Sequence, residues 1–177
     1  MRNKLMLGVG VGVCAVFFAT AAAQSDWHFV PMVQVESGLQ ANQYHARALG
    51  LMELADTTYS PDFFDQFVWQ QALAYANAAL QAEPSSLQYL RTMAVGYTRT
   101  QFWAQAYNLW RQLEQGGDLK VQDRPYAALA AAKMGYLCLT SGAPQESAHY
   151  FEESLRWQEQ PQVRALLERV QTEVGGQ

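Results

Sequence analysis

The chain has 177 residues, half of them hydrophobic and 16% charged, with twelve Lys and Arg against sixteen Asp and Glu. A net charge of −4 lacks the positive footprint that phosphate backbones attract, which argues against a nucleic-acid-binding role. Two cysteines, Cys14 and Cys138, are too few for a disulfide framework, so the fold must rest on packing.

Residues 1–23 begin with MRNK, continue as the uncharged run LMLGVGVGVCAVFFATAAA, and end in Ala21-Ala22-Ala23. A basic start, an apolar run and small residues before a polar segment are the three parts of a secretory signal, with cleavage expected after Ala23. An uncleaved anchor is the alternative, since nineteen apolar residues approach the length of a bilayer span. Cleavage would take Arg2 and Lys4 away and leave Cys138 as the single thiol. With no N-x-S/T sequence present, the expected location is the periplasm or cell envelope of a bacterium. Membrane contact is expected only through the signal segment, if it is retained.

Residues 24–37 form an irregular lead-in that contains Trp27, Phe29 and Val30. These would either dock as an N-terminal strap or lie free as a linker. Beyond it, Ala, Gln, Leu and Glu dominate, and these favour helix. Breakers divide the chain: Ser60-Pro61-Asp62, Pro84-Ser85-Ser86, Gly116-Gly117-Asp118, Asp123 with Pro125, Ser141-Gly142-Ala143-Pro144, and Gln160-Pro161. Helices are therefore predicted over 38–56, 62–83, 86–100, 103–115, 124–140, 144–159 and 161–173. The insert DTTYSPDFFDQF, 56–67, would fold back on the first pair or form a contact patch.

Both helices of each pair repeat. Ala72 and Ala106, and Ala79 and Leu113, lie 34 apart; Trp110 and Phe151, Ala94 and Gly135, and Tyr97 and Cys138 lie 41 apart, a seven-residue insertion near GGDLKVQDR making the difference. Small residues such as Gly50, Ala94, Gly135, Ala72 and Ala106 would let helices approach, and Tyr97, Trp110 and Phe151 would fill the space to the next pair. Cys138 falls on one of these core positions, and Ser147 stands where an alanine is expected. This period and pattern resembles the tetratricopeptide repeat. The resemblance implies an all-α fold: three helix–turn–helix repeats and a C-terminal capping helix over 38–174, wound as a short right-handed α-solenoid.

Signs of chemistry are sparse. His28, His45 and His149 have no helical spacing to one another or to Cys138, so neither a metal nor a cofactor site nor an enzyme is expected. His45 is expected at the surface or half-buried, and Glu152-Glu153 on a solvated face, since adjacent helical residues point about 100° apart.

The resemblance implies instead that the first helices line a concave surface that binds a protein or peptide. Register places Tyr44, Arg47 and Leu51, then Gln88, Arg91, Val95 and Arg99, then Leu129, Lys133 and Tyr136 on that surface. Arg47, Arg91, Arg99 and Lys133 would make it mildly basic and suit an acidic segment or a C-terminal carboxylate. The expected role is a scaffold or adaptor in envelope assembly, secretion or pilus biogenesis. Self-association through the first pair, giving a homo-oligomer, is one alternative. A small-ligand or enzyme site under the 56–67 insert, joining His45 to Asp62 or Asp65, is another.

Overall fold

Seven α-helices follow one another through the residues that the computed structural model describes, 33–59 and 67–175. They are α1 (Ala41–Thr58), α2 (Phe67–Ala82), α3 (Leu87–Arg99), α4 (Trp103–Gln115), α5 (Arg124–Thr140), α6 (Pro144–Trp157) and α7 (Pro161–Gly175), with one 3-10 turn, Val121–Asp123, before α5. No strand occurs among the described residues, so the fold is all-α. The predicted signal segment, Trp27 to Val30, and the centre of the insert with Asp62 and Asp65 lie outside them.

Local chemistry sets the helix ends. Ser86 Oγ accepts a hydrogen bond from the Tyr89 N–H at 3.4 Å and caps α3, as its residue type favours. Pro125, Pro144 and Pro161 sit in the first turns of α5, α6 and α7, where a missing N–H costs nothing. Gly117 and Gly142 adopt positive φ after α4 and α5. The next N–H then reaches back five residues, from Asp118 to Leu113 and from Ala143 to Cys138, each at 2.9 Å. Gln101 does the same without being glycine: its φ is 62°, and the Phe102 N–H returns to the Tyr97 carbonyl at 2.9 Å. The break predicted between residues 100 and 103 therefore falls here, without the glycine that adopts a left-handed conformation most easily.

Each helix packs on the next, and α3 also touches both α1 and α5. Side-chain volume explains the spacing. Trp110, Tyr97 and Phe151 are fully buried, as the repeat pattern predicts. Around them Ala72, Ala94 and Ala106 are also at 0% exposure. Gly135 shows why small residues are required: a Cβ there would stand 2.6 Å from two atoms of the Phe151 ring.

Three expectations fail in detail. Gly50 does not sit at a close approach; it is exposed, with nothing within 4 Å of where its Cβ would be. The buried face of α1 is Ala41, His45, Ala48, Met52 and Ala55, and two residues from Ala48 is about 200° around the helix. Ala48 therefore takes the role expected of Gly50. His45 is buried, not at the surface: its Nε2 lies 2.8 Å from Thr92 Oγ1 and its ring packs on Tyr89 at 4.8 Å. Cys138 is only half-buried, and burial still raises its thiol pKa.

Ser147 yields a test of the packing. It stands at the position of Ala72 and Ala106, is fully buried, and its hydroxyl has no hydrogen-bond partner. An unsatisfied buried hydroxyl costs about 1–3 kcal/mol, and alanine is the better helix former. Ser147→Ala is therefore expected to stabilise the protein by about 1–2 kcal/mol, read as a rise in melting temperature. Ser154 is the control: its Oγ donates to the Ala128 carbonyl at 2.8 Å, so Ser154→Ala is expected to destabilise. An unchanged or lower melting temperature for Ser147→Ala would contradict this account.

Candidate functional site

The exposed sides of α3 and α5 and one end of α1 adjoin on a single surface. Arg99, near the end of α3, joins them. Its Nη2 lies 3.5 Å from Asp56 Oδ2 of α1, and its guanidinium sits 5.7 Å from the Tyr126 ring centre of α5. Gln88 is exposed and Val95 half-buried on the same side of α3. Along α5, Leu129 is 38% and Tyr136 54% exposed, and Lys133 is exposed between them. Spacings of four and three residues place these side chains on one stripe. Lys133 Nζ lies 5.7 Å over the Trp103 ring, which is half-buried at the start of α4.

Behind the surface the support is rigid. Trp110 stacks on Tyr126 at 6.3 Å and 18°, so the ring beneath Arg99 is held by the largest fully buried side chain. Helix-mounted, packed side chains are the arrangement that fixes a binding surface in advance of its ligand.

Of the ten residues expected on this surface, Gln88, Val95, Arg99, Leu129, Lys133 and Tyr136 are found there. Arg91 is not free to bind. Its Nε donates to Asp123 Oδ2 at 2.8 Å and its Nη2 to the Asp118 carbonyl at 2.6 Å, with an ion pair to the Asp118 carboxylate as well. Only 14% of its side chain is exposed. It clamps the loop after α4 to α3. The acids that hold it come from that loop, so helix periodicity alone does not reveal the pairing.

Tyr44, Arg47 and Leu51 also depart from expectation. His45 and Met52 face α3, Ala48 and Ala55 are buried, and Tyr44, Arg47 and Leu51 continue around α1 to the side turned away from α3. There they meet α2: Tyr44 lies 6.3 Å from the Tyr75 ring and Arg47 5.8 Å from it. The α1 residue on the shared surface is Asp56. The surface is accordingly less basic than expected: Arg91 is held by Asp118 and Asp123, Arg99 pairs with Asp56, and Arg47 lies off it, paired with Glu36 at 2.9 Å.

Residues missed from sequence are Asp56, Tyr126 and Trp103. Tyr126 and Trp103 carry no signal of their own in the sequence, because core and surface aromatics share one spacing.

No group of three or more His, Cys, Asp or Glu among the described residues is placed to hold a metal. No described helix is long and apolar enough to cross a membrane. No protein-family model matches the chain, and no curated protein matches it.

Proposed function

We propose that the chain is an exported helical repeat protein of the tetratricopeptide type, three repeats and a capping helix, that holds a protein or peptide segment on the concave surface lined by its first helices. The observation that carries this reading is the stripe Leu129, Lys133 and Tyr136 beside Arg99 and Tyr126. Exposed Tyr, Arg and Leu on a rigid support are the side chains that anchor protein interfaces. The repetition of burial also supports it: Ala94 and Gly135, Ala106 and Ser147, Trp110 and Phe151, and Leu113 and Ser154 are buried pairwise at one spacing.

The chemistry of the surface defines the partner. Leu129 and Tyr136 offer apolar contact. Arg99 and Asp56 are each about two-fifths exposed and 3.5 Å apart, so a partner carboxylate can replace Asp56 on the guanidinium. The preferred ligand is a segment with one or two large apolar side chains next to an acidic residue or a free C-terminus. Such a module is a scaffold or adaptor of the cell envelope and performs no catalysis itself.

Leu129→Ser combined with Tyr136→Ser is the test. The helical circular dichroism and melting temperature are expected to persist, because both residues are exposed. In-cell crosslinking should lose the captured partner, with at least a tenfold drop in yield, which is about 1.4 kcal/mol. Capture at the wild-type level would remove this surface as the binding site.

A further inference from the structure

The loop between α4 and α5 is fastened more firmly than a connection requires. Asp118 and Asp123 turn inward onto Arg91. The Lys120 N–H donates to Asp123 Oδ2 at 3.0 Å, and the Asp123 N–H returns to the Lys120 carbonyl at 3.0 Å. Leu119 packs against the core. A buried ion cluster is a weak source of stability, because desolvation offsets its attraction. Here it holds the loop in one shape.

What the fixed loop presents suits a free monomer poorly. Val121 is 77% exposed, the most exposed large hydrophobic side chain among the described residues. Lys120, Gln122 and Arg124 stand exposed around it. Arg124 opens α5, where a cation faces the positive end of the helix dipole. Seven of the eight arginines among the described residues form ion pairs, and Arg124 is the exception. Lys120 has no ion pair among them either. The loop thus offers one apolar side chain between two uncompensated cations.

The complement lies on the same chain. Between α6 and α7 a recess of about 410 Å³ is lined by Ala148, His149, Glu152, Gln171 and Val174, among others. Glu152 is exposed and accepts from Gln171 Nε2 at 3.3 Å. Glu168, also exposed, stands three residues before Gln171 and so on the same side of α7. Neither acid forms an ion pair among the described residues, and Arg164, one turn before Glu168, is held by Glu159 at 2.5 Å. Small apolar groups therefore lie beside two uncompensated carboxylates. Within one molecule the loop is fastened to α3 and α7 packs on α6, so a second copy must bring the two patches together. With a net charge of −4, copies repel one another on average, and a contact between them has to join unlike patches.

We infer that the loop 118–124 of one copy seats in the α6–α7 recess of a second copy, with Val121 against Ala148 and Val174 and with Lys120 and Arg124 paired to Glu152 and Glu168. The contact joins two different surfaces, so it repeats head to tail instead of closing as a two-fold dimer. It uses neither the first helix pair nor the surface on α3 and α5.

Sedimentation velocity on protein purified from cells expressing the full chain decides it. The weight-average mass is expected to rise with concentration past that of a dimer, and to fall as salt screens the exposed pairs. Lys120→Glu with Arg124→Glu reverses the loop, and Glu152→Lys with Glu168→Lys reverses the recess. All four residues are exposed, so the helical circular dichroism should persist in both variants. Each variant alone should associate about tenfold more weakly or less still. Mixed in equal amounts, the two should associate again, because every loop then finds a recess of opposite charge on the other variant. Val121→Asp should abolish association. A wild-type chain that stays monomeric at every concentration would overturn the inference. So would wild-type association in either reversed variant, which would put the contact on another face, or a mixture that fails to recover.

Discussion

Trp110→Ala is expected to lower the free energy of unfolding by about 3–5 kcal/mol, the usual cost of emptying a large aromatic site. Trp110 has no exposed surface. It touches α5 through the Tyr126 ring and α3 through its Nε1–H, which donates to Thr98 Oγ1 at 3.0 Å. Thr98 in turn donates to the Ala94 carbonyl at 2.8 Å, so its hydroxyl stays satisfied as a donor when the indole is gone. The loss is therefore mostly packing, and three helices share it. At about 2–4 °C per kcal/mol for a chain of this size, the melting temperature should fall by about 6–20 °C. Trp110→Phe keeps most of the ring and loses the hydrogen bond, at about 1–2 kcal/mol. A change below about 0.5 kcal/mol for the alanine variant is what a surface position gives, and would show that the rings do not join one helix pair to the next. Because Tyr126 lies under Arg99, the same variant should also loosen the candidate binding surface.

The contrast between Trp110 and Arg91 shows what sequence can and cannot convey. Trp110 reads as core because a large residue recurs at fixed distance from small ones, and burial follows that period. The helix positions from α3 to α7 were legible for the same reason, with Pro and Gly marking their ends. Arg91 shares its helix face with Val95 and Gln88, yet its environment is decided by Asp118 and Asp123, which lie in an irregular loop and a single 3-10 turn. Contacts of that kind have no period. Gly50 failed differently. The first pair carries an insert, so its first helix cannot be aligned from its second, and a shift of two residues rotates a helix by about 200°. The same rotation took Tyr44, Arg47 and Leu51 from the shared surface to the end of the stack. Glu153 is a third kind. Neighbouring Glu152 is exposed as expected, but Glu153 is buried because partners on α4 reach it.

Those partners make Glu153 the polar residue whose loss should cost most. The Tyr107 hydroxyl donates to its Oε2. Arg111 Nη1 donates to its Oε1 at 2.5 Å, and Arg156 Nη2 approaches the same oxygen at 3.3 Å. Arg156 also bonds Glu114, which accepts from the Trp157 indole at 2.7 Å. Glu153→Ala strands the Arg111 charge and the Tyr107 hydroxyl between α4 and α6, and is expected to cost about 3–5 kcal/mol. Replacing all three as Glu153→Leu, Arg111→Met and Tyr107→Phe should recover most of that, because the penalty lies in the unpaired groups. Acid should reproduce the effect. Burial pushes the Glu153 pKa up, but the hydrogen bonds from Tyr107 and Arg111 outweigh it and leave it below 4.5. Glu114 is held below the same value by Arg156 and Trp157. A depressed carboxyl stabilises the fold fully above its unfolded pKa, and the contribution is lost as pH falls through the folded value. His45 adds an earlier step: burial lowers its pKa below 6.5, so the unfolded state takes up its proton first and stability begins to fall below that pH. Melting temperature against pH should thus decline in two stages on acidification. Glu153→Gln should flatten the lower stage and leave the His45 stage in place, whereas a lower stage of unchanged depth would show that the Tyr107–Glu153–Arg111 network does not hold α4 to α6.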